Sequence, residues 1–564
     1  MQVFGVIFIV LSVCRSNLAT YGGHDLFTSL GQLNELWKNE VLVIKNMKKA
    51  IQNMDEIKAS LVKYIKSHED AQLNQEPNFD YLGQPINGYL MIRHVALGWQ
   101  EVREQVFKVE NETRQIFDEL KDREKEKLPD EHDIHGAAYG LARLHSLYSL
   151  NSTQMIENGV IEAKIKNGIH ALSEPSVMKL TAWDLDLIAR QGKTQGLYNT
   201  MVDFYGVLVD KFRGEELSKE KPFETFMASK RNLTDIQQDI RHAKILHDET
   251  LIRRGSRSGA RTHDLPLDPK LRKKKKFKKK TFELKDPITD EERAENHRQL
   301  EMPEVKQKAD LQKELLCTGV TFRTANDTKD LFCTYAHNNS PWLRLGPMKV
   351  EIQSKEPYIA VLRELMYPHE CDNITRFLGP HLDFPPGRMN PRHMINDWTM
   401  KNAWPNEAHN IHLEKMTRRV EHISGLHASS FKEESDAFMC GNYGIGGHYG
   451  THPDFSKWNP NAFMDAKSRV NRISTVMTVL DAPIAGGATV WPFLGVSIFP
   501  EKGSAAFWFN LKSDGRPDYL TLHAACPVLL GQKWIGNKWI GYTPQWKIRP
   551  CALSPMTRQF GPFR

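Results

Sequence analysis

The sequence predicts a chain of several domains, with an all-α first half followed by a β-rich second half built as a double-sheet barrel or jelly roll. Apolar residues recur at helical spacing through the first 250 or so residues. After Leu311 they alternate or form short runs between Gly, Pro and Asp turns. Because the helical part precedes the β-rich part instead of alternating with it, we expect separate domains.

Length and composition set the class of protein. The chain has 564 residues, of which 40% are hydrophobic and 26% charged, which suits a soluble protein of about three to four domains. There are 76 basic and 69 acidic residues, a net charge of +7. The run Lys270–Lys280 alone carries nine positive charges, so the rest of the chain is close to neutral. Composition therefore does not indicate a nucleic-acid-binding protein.

The N-terminus predicts secretion. Val3–Val13 is apolar but too short to span a bilayer, and small Ala19 follows, so we expect a signal peptide over residues 1–19; an uncleaved anchor is the alternative. No other segment predicts a membrane span. Six N-x-Ser/Thr sequons agree with a lumenal glycoprotein: Asn111, Asn151, Asn232, Asn326, Asn338 and Asn373. Without Cys14, six cysteines remain, an even number that an oxidising lumen would pair.

The first predicted domain, residues 20–165, is helical. Leu30–Ile65 has a heptad-like apolar rhythm that predicts one long helix. The candidate a and d positions are Ile44, Met47, Ile51, Met54, Leu61 and Ile65. This stripe is either a dimerisation seam or the buried face of an ordinary amphipathic helix. Further helical patterns cover Trp99–Lys127 and His135–Leu150.

Residues 166–250 are predicted to form a second helical domain. Ala182–Phe212 has the pattern of two helices joined at Gly192, the shape of one helix-turn-helix repeat. Residues 251–310 are predicted to be a linker or an insertion, because Arg253–Thr281 is basic and poor in apolar residues. A phosphate- or heparin-binding patch is the functional alternative to a flexible segment.

Residues 311–564 form the predicted β-rich domain. Its strand-like segments are Arg472–Leu480, Ala488–Pro500, Ser504–Leu511 and Tyr519–Leu530.

Two His-x-Asp pairs lie in this domain. Residues i and i+2 of a strand point to one face, so an imidazole and a carboxylate at this spacing can bind one metal ion. A mononuclear non-haem Fe(II) centre uses two His and one carboxylate and leaves positions open for O2 and a cosubstrate. His381 and Asp383 are followed closely by two prolines, which predicts a loop. His452 and Asp454 follow the Gly-rich NYGIGGHYG and precede strands.

Two later residues complete the candidate site. His523 lies in the strand-like TLHAACPVLL and is the third candidate metal ligand. Lys533 comes ten residues later, a distance that lets a strand and turn return a cation to the barrel interior, where it would bind a carboxylate of a dicarboxylate cosubstrate. Singly, His523 would be a core histidine and Lys533 a surface charge; together they indicate a metal enzyme.

The motifs HYGTHPDFSKW, GGATVWP, KGSAAFWFNL, LHAACPVL and KWIGNKWI resemble the α subunits of collagen prolyl 4-hydroxylases, Fe(II)/2-oxoglutarate dioxygenases. The resemblance covers about Glu314–Cys551 and extends more weakly to the N-terminal half. It implies a double-stranded β-helix catalytic domain after a helical dimerisation domain and a TPR-like peptide-binding domain.

The resemblance also implies roles for single residues. His452, Asp454 and His523 match the iron ligands, and Lys533 matches the residue that binds the distal carboxylate of 2-oxoglutarate. The other implied residues are Tyr443, Thr489 and Trp539 in the cosubstrate pocket, Arg472 near the peptide groove, and Tyr198 and Tyr205 as peptide-binding tyrosines or plain core residues. The implied disulfides are Cys317–Cys333 and Cys526–Cys551, leaving Cys371 and Cys440 as a further pair or free thiols.

The activity implied is hydroxylation of proline in X-Pro-Gly peptides to 4-hydroxyproline, with O2 and 2-oxoglutarate consumed, succinate and CO2 released, and ascorbate restoring the iron. The implied setting is the endoplasmic reticulum lumen, in an α2β2 complex with protein disulfide isomerase as β subunit. A catalytically weak paralogue that binds peptide or supports assembly is the alternative, but it would not need all four site residues. A lysyl hydroxylase is disfavoured by Lys533, where that class would have Arg.

Overall fold

The computed structural model describes residues 30–70, 104, 107, 108, 111, 114, 131–165, 169–176, 180–214, 233–253, 303–383, 399–444, 446–455 and 471–553. The predicted signal peptide, most of Trp99–Lys127 and the basic segment after Arg253 lie outside these residues. Two compact units are formed, Gly31–Asp130 and a larger one that contains Glu131–Arg564. The predicted domain boundaries at residues 165, 250 and 310 stay predictions.

The smaller unit contains helix α1, Leu30–Asp70, which confirms the long helix that the apolar rhythm predicts. Several of its apolar side chains are exposed, including four of the candidate a and d residues. The exposed set is Trp37, Val41, Ile44, Ile51, Met54, Val62 and Ile65. Among the described residues of this unit, the apolar stripe of α1 is therefore not a buried core face.

The larger unit begins with helices that pack in sequence order: α2 on α3, α3 on α4, and α4 on α5. Thr181 begins α3 as its N-cap, in a capping box with Asp184. The described α-helices of the larger unit are α2 Glu131–Tyr148, α3 Ala182–Thr194, α4 Tyr198–Gly214, α5 Leu233–Arg253, α6 Pro303–Cys317, α7 Ala325–Thr328, α8 Pro341–Leu345, α9 Pro368–Leu378 and α10 Ile411–Ser424.

The turn between α3 and α4 confirms the predicted helix pair but not its position. Gly192 lies inside α3, where its backbone carbonyl accepts a hydrogen bond from Leu197 N. The chain turns at Gly196 instead, which has φ of +77°, a value that glycine adopts without strain.

A short hairpin corrects the prediction of an all-α first half. Strands β1, Glu162–Ile165, and β2, Ile169–Leu172, pair antiparallel. The sequence between them contains Asn167 and Gly168, residues typical of hairpin turns. The hairpin could have been predicted from this Asn-Gly pair.

The second half is strand-rich, as predicted. Arg472–Leu480 forms one strand, whereas Ala488–Pro500 forms two strands that meet near Gly495. The strands are β3 Cys333–Ala336, β4 Met348–Lys355, β5 Tyr358–Arg363, β6 Lys401–Ala403, β7 Met439–Tyr443, β8 Tyr449–His452, β9 Arg472–Asp481, β10 Ala485–Gly486, β11 Thr489–Trp491, β12 Val496–Ile498, β13 Ala505–Phe509, β14 His523–Ala525, β15 Val528–Leu530 and β16 Lys533–Gly541.

These strands form an eight-stranded sheet in the order β3-β4-β5-β13-β9-β16-β7-β6 and a four-stranded sheet in the order β12-β11-β14-β8; β10 pairs with β15. One apolar core draws residues from both large sheets, including Trp508 and Met477 from the first and Trp491 and Val496 from the second. The two sheets therefore face each other across that core, an arrangement consistent with a jelly roll.

The disulfide is not the one that the resemblance implies. Cys317, at the end of α6, pairs with Cys526, just after β14, with a Cα–Cα distance of 5.5 Å. The implied pairs Cys317–Cys333 and Cys526–Cys551 are wrong, because α6 packs on β11 and β12 while Cys333 lies exposed at the outer strand of the large sheet. Cys551 is exposed, and Cys371 and Cys440 are buried free thiols.

In the described part of the chain, no helix is sufficiently long and apolar to cross a membrane.

Candidate metal centre

Two neighbouring strands bring the candidate ligands together. β8 and β14 pair antiparallel in the four-stranded sheet, with His452 directly opposite His523. Their imidazole rings have centroids 4.4 Å apart. Residues far apart in sequence thus meet because the sheet places the end of one strand beside the start of the other.

Asp454 joins them from just beyond the end of β8. The intervening Pro453 has no N–H to donate to a strand partner, and β8 ends at His452. An Asp454 carboxylate oxygen lies 4.0 Å from His452 Nε2 and another lies 3.7 Å from His523 Nε2. One ligand atom from each of the three residues lies within 4.8 Å of the others.

Hydrogen bonds orient all three side chains. His452 Nδ1 lies 2.7 Å from Gly450 O and His523 Nδ1 lies 3.1 Å from Thr521 O, so each Nδ1 donates and each Nε2 is left with a lone pair. Thr475 Oγ1 donates to Asp454 Oδ2 at 2.7 Å. Two imidazole nitrogens and one carboxylate facing a cavity are a donor set that fits a non-haem Fe(II) ion.

The protonation states suit metal binding. Burial, with help from the neighbouring His523, lowers the pKa of His452 to about 3, so its imidazole is neutral at physiological pH. Burial by itself would raise the pKa of Asp454, but His523, His452 and the Thr475 hydroxyl outweigh it and lower the pKa overall. The carboxylate is therefore ionised where a cation would bind.

A cavity of about 190 Å³ opens beside the three residues. Lys533 lies in its wall, 1% exposed, and its Nζ donates to Gly487 O at 2.7 Å and Thr489 Oγ1 at 3.0 Å. Burial lowers the pKa of Lys533 to about 7. No carboxylate contacts this ammonium among the residues that the structure describes. The cavity thus offers a metal site and a second, cationic anchor.

All four of the other predicted pocket residues lie in the wall of this cavity: Tyr443, Thr489, Trp539 and Arg472. Tyr443 lies opposite Lys533 on β7, with the ammonium 5.9 Å from its ring centroid. Arg472 stacks over Trp539 at 3.8 Å and forms an ion pair with Asp436.

The second His-x-Asp pair and the two candidate peptide-binding tyrosines do not line this cavity. His381 ends a 3-10 turn and Asp383 forms an isolated bridge to Asn402, so this pair lies in a loop, as predicted. Tyr205 is fully buried in the helical core and its hydroxyl donates to Asp186, which corrects the peptide-binding interpretation in favour of core packing. Tyr198, which begins α4, is half-buried.

Sequence reasoning missed part of the cavity wall. The missed residues are Trp404, Met439, Tyr449, Pro453, Met477, Ala525, Ile535 and Asn537. Period-two alternation from Lys533 along β16 could have identified Ile535 and Asn537. Trp404 comes from a loop after β6, and no motif connects it with the other cavity residues.

Two family models match parts of the chain. Residues 29–162 match the family model described as the N-terminal region of the prolyl 4-hydroxylase α subunit, and residues 438–541 match the model of the 2OG-Fe(II) oxygenase superfamily. The second match contains His452, Asp454, His523 and Lys533.

Similar curated proteins match almost the whole chain. It is 29% identical to prolyl 4-hydroxylase subunit alpha-2 of Caenorhabditis elegans, over 96% of each chain. It is 29% identical to subunit alpha-1 of Gallus gallus, over 94% of this chain and 99% of that protein. Identity to subunit alpha-1 of Homo sapiens is 26%, over 94% and 96%. The resemblance that the motifs indicate is thereby confirmed.

Proposed function

We propose that this chain, an Fe(II)- and 2-oxoglutarate-dependent oxygenase similar throughout its length to prolyl 4-hydroxylase α subunits, hydroxylates proline in X-Pro-Gly sequences of collagen-like peptides. The observation that carries the proposal is one cavity that holds both a two-His, one-carboxylate cluster and a buried lysine. A metal ion and a dicarboxylate are the two ligands that such a cavity would accept together.

His452, Asp454 and His523 would hold the iron, which when bound supplies the site for O2 and for oxidation of the cosubstrate. The protein's contribution is orientation. The carbonyl groups of Gly450 and Thr521 hold the imidazoles with Nε2 directed at the cluster, and Thr475 holds the carboxylate. Such contacts fix ligand geometry and raise metal affinity.

Lys533 and Thr489 would bind the distal carboxylate of 2-oxoglutarate. A cation buried without a carboxylate partner has an unfavourable solvation energy, which a ligand carboxylate would offset. Tyr443 and Trp539 would line the remainder of the cosubstrate pocket. The ligand is therefore held at one end by charge and at the other by the metal.

The peptide would reach the metal from the open side of the cavity. Trp404 is 43% exposed there and its ring lies 5.8 Å from Trp539, next to the stacked Arg472. Flat aromatic faces suit proline rings in an extended polyproline II peptide. Arg472 and, in the helical region, Tyr198 are the proposed peptide contacts.

We infer the cellular setting from the resemblance. The chain would work in the endoplasmic reticulum lumen, with ascorbate to restore oxidised iron and protein disulfide isomerase as the β subunit of an α2β2 tetramer. The exposed apolar stripe of α1 would join the two α chains, since an apolar helix face of this length gains stability by pairing.

The test is a turnover assay. The full chain is co-expressed with protein disulfide isomerase and supplied with Fe(II), 2-oxoglutarate, ascorbate and a (Pro-Pro-Gly)n peptide, and succinate and 4-hydroxyproline are measured. His452→Ala should lose more than about 100-fold in rate, the upper end of what loss of a ligand's supporting contact costs. His381→Ala, the same change in the other His-x-Asp pair, should retain the wild-type rate.

A soluble, iron-loaded wild type that forms no 4-hydroxyproline would contradict the proposal. If that protein still bound the peptide, the binding-subunit alternative would take its place. Equal loss in His452→Ala and His381→Ala would argue that the cluster is not the metal site.

A further inference from the structure

Helix α2 contacts the two backbone segments that lead into and out of the ligand-bearing strands. One is the segment 446–448, directly before β8; the other is Pro527, between β14 and β15. We infer that α2 positions the metal centre through Arg143 and Tyr148. The inference rests on the proposed metal site and adds two positioning residues, neither of which contacts the ligands themselves.

Arg143 fixes the entry to β8. Its side chain is 9% exposed, and its Nη1 donates to Gly446 O at 2.9 Å and to His448 Nδ1 at 2.9 Å. The guanidinium can only donate, so His448 Nδ1 is the acceptor. His448 is also bonded to Thr399 through its backbone N–H and its carbonyl, each at 2.8 Å. Arg143 therefore completes a buried network one residue before the strand that ends in His452.

The backbone of the same segment lies close against the helix. Gly446 has φ of +71°, and a Cβ at this position would lie 3.4 Å from the backbone of Gly140 in α2. On its other side, Gly446 N donates to Val528 O at 2.7 Å. The segment thus lies between α2, which it approaches within van der Waals distance of a side chain, and the start of β15, to which it is hydrogen-bonded.

Tyr148 fixes the exit from β14. Its ring is 3% exposed and its hydroxyl donates to Pro527 O at 2.6 Å. Pro527 lies two residues beyond the end of β14, and the neighbouring Cys526 is tied to α6 by the disulfide. The strand that begins with His523 is therefore anchored at its far end by α2 and α6.

Other residues of α2 contact the start of α4. His145 Nδ1 lies 3.0 Å from Thr200 Oγ1, and Ser146 Oγ donates to Asn199 Oδ1 at 3.0 Å, both at the start of α4. One helix thus connects the region proposed to bind peptide with both ligand strands. Because a metal site tolerates ligand displacements of only about 0.5 Å, a shift of α2 would reduce metal affinity.

The experiment measures Co(II) binding to the full-length protein by visible absorption, well below the melting temperature. Arg143→Met should weaken Co(II) affinity about tenfold and alter the Co(II) absorption bands, the lower end of what loss of a direct supporting contact costs, because Arg143 acts on His452 through the backbone of 446–448. Tyr148→Phe should weaken it less, and Arg143→Lys should restore part of the loss. Arg190→Met on α3 and Tyr335→Phe on β3, both at exposed side chains, are the matched controls and should bind as wild type.

A lower melting temperature with unchanged Co(II) affinity and spectrum in Arg143→Met would overturn the inference and leave the contacts as packing. If Arg143→Met does not fold, wild-type affinity in both Arg143→Lys and Tyr148→Phe would overturn it equally. Failure of the proposed function appears differently, since His452→Ala would then bind Co(II) as tightly as wild type.

Discussion

The two faces of strand β16 each bury one lysine, and the two lysines have opposite surroundings. Lys533 and Lys538 are 1% and 0% exposed. Residues 533, 535, 537 and 539 line the cavity, while the even-numbered Trp534 and Ile540 pack in the core on the other face. Burial depth is therefore the same on the two sides, and only the partners differ.

On the core face, Lys538 has its counter-charge in the protein. Its Nζ donates to Glu407 Oε1 at 2.7 Å and to Asp436 O at 3.2 Å. Burial would raise the pKa of Glu407, but hydrogen bonds from Lys538 and Ser430 lower it to about 2. This charge pair is complete without any ligand and is structural.

On the cavity face, the acceptors of Lys533 among the described residues are both neutral, and burial lowers its pKa to about 7. The contrast teaches that a fully buried lysine by itself indicates nothing about function. A buried lysine whose missing counter-charge would have to come from a cavity indicates a site for an anionic ligand.

The sharpest test of the contrast is Lys538→Met. Removal of one member of a buried ion pair should lower the free energy of unfolding by about 3–5 kcal/mol, because Glu407 is left as an uncompensated charge. Urea unfolding at pH 7 followed by circular dichroism measures the change. The double variant with Glu407→Gln should recover part of the loss; no recovery would contradict the pairing.

Lys533→Met should weaken cosubstrate binding without lowering the free energy of unfolding. Affinity of the metal-loaded protein for 2-oxoglutarate, measured by calorimetry, should fall about 100-fold, since the ligand carboxylate loses a buried charged partner. The free energy of unfolding of the ligand-free protein should rise at pH 6, because the penalty for burying an ammonium is removed. A loss of stability similar to that of Lys538→Met would mean that Lys533 has an internal partner after all.

The lowered pKa of Lys533 also makes the free energy of unfolding depend on pH. The folded-state pKa of Lys533 is about 7 and the ordinary value is 10.5, so between these values the unfolded chain binds more protons and this group's contribution to stability rises with pH. The stability gain of Lys533→Met should therefore shrink as pH rises from 7 to 10.

The lowered pKa of Lys533 also makes 2-oxoglutarate affinity depend on pH, but here the affinity falls as pH rises. Only the protonated lysine attracts the carboxylate, so 2-oxoglutarate affinity of the wild type should weaken about tenfold per pH unit above 7. Calorimetric titrations at pH 6, 7, 8 and 9 measure this change. Lys533→Met should lack this dependence, and an equal dependence in the variant would assign it to another group.

The cavity was largely predictable because its chemistry lies in short motifs. His452 and Asp454 are two residues apart and His523 and Lys533 are ten apart, spacings that strand and turn geometry interprets, and the structure brings all four to one cavity. What was not predictable depends on tertiary placement. The disulfide Cys317–Cys526 joins residues 209 apart, and sequence spacing favours no such pair.

The helical region was less predictable for a different physical reason. A helix packed on both sides and a helix with a binding face have similar apolar periods, so Tyr198 and Tyr205 could not be distinguished from the pattern. The structure buries Tyr205 completely and leaves Tyr198 half-buried. The contacts of α2 with the barrel were also invisible, because Arg143 and Tyr148 occur in no motif.

The smallest effect is expected from these two tyrosines. If Tyr198 packs against a proline-rich peptide, Tyr198→Ala should raise the KM for (Pro-Pro-Gly)n about two- to tenfold without changing kcat, since one aromatic contact contributes about 0.5–1.5 kcal/mol. Tyr205→Phe should leave KM unchanged and lower the free energy of unfolding by about 1 kcal/mol through loss of the bond to Asp186. Turnover kinetics and urea unfolding separate the two variants. A raised KM in Tyr205→Phe with none in Tyr198→Ala would mean that peptide affinity depends on the helical core and not on the half-buried face, because Tyr205 is fully buried and its hydroxyl donates to Asp186 of α3.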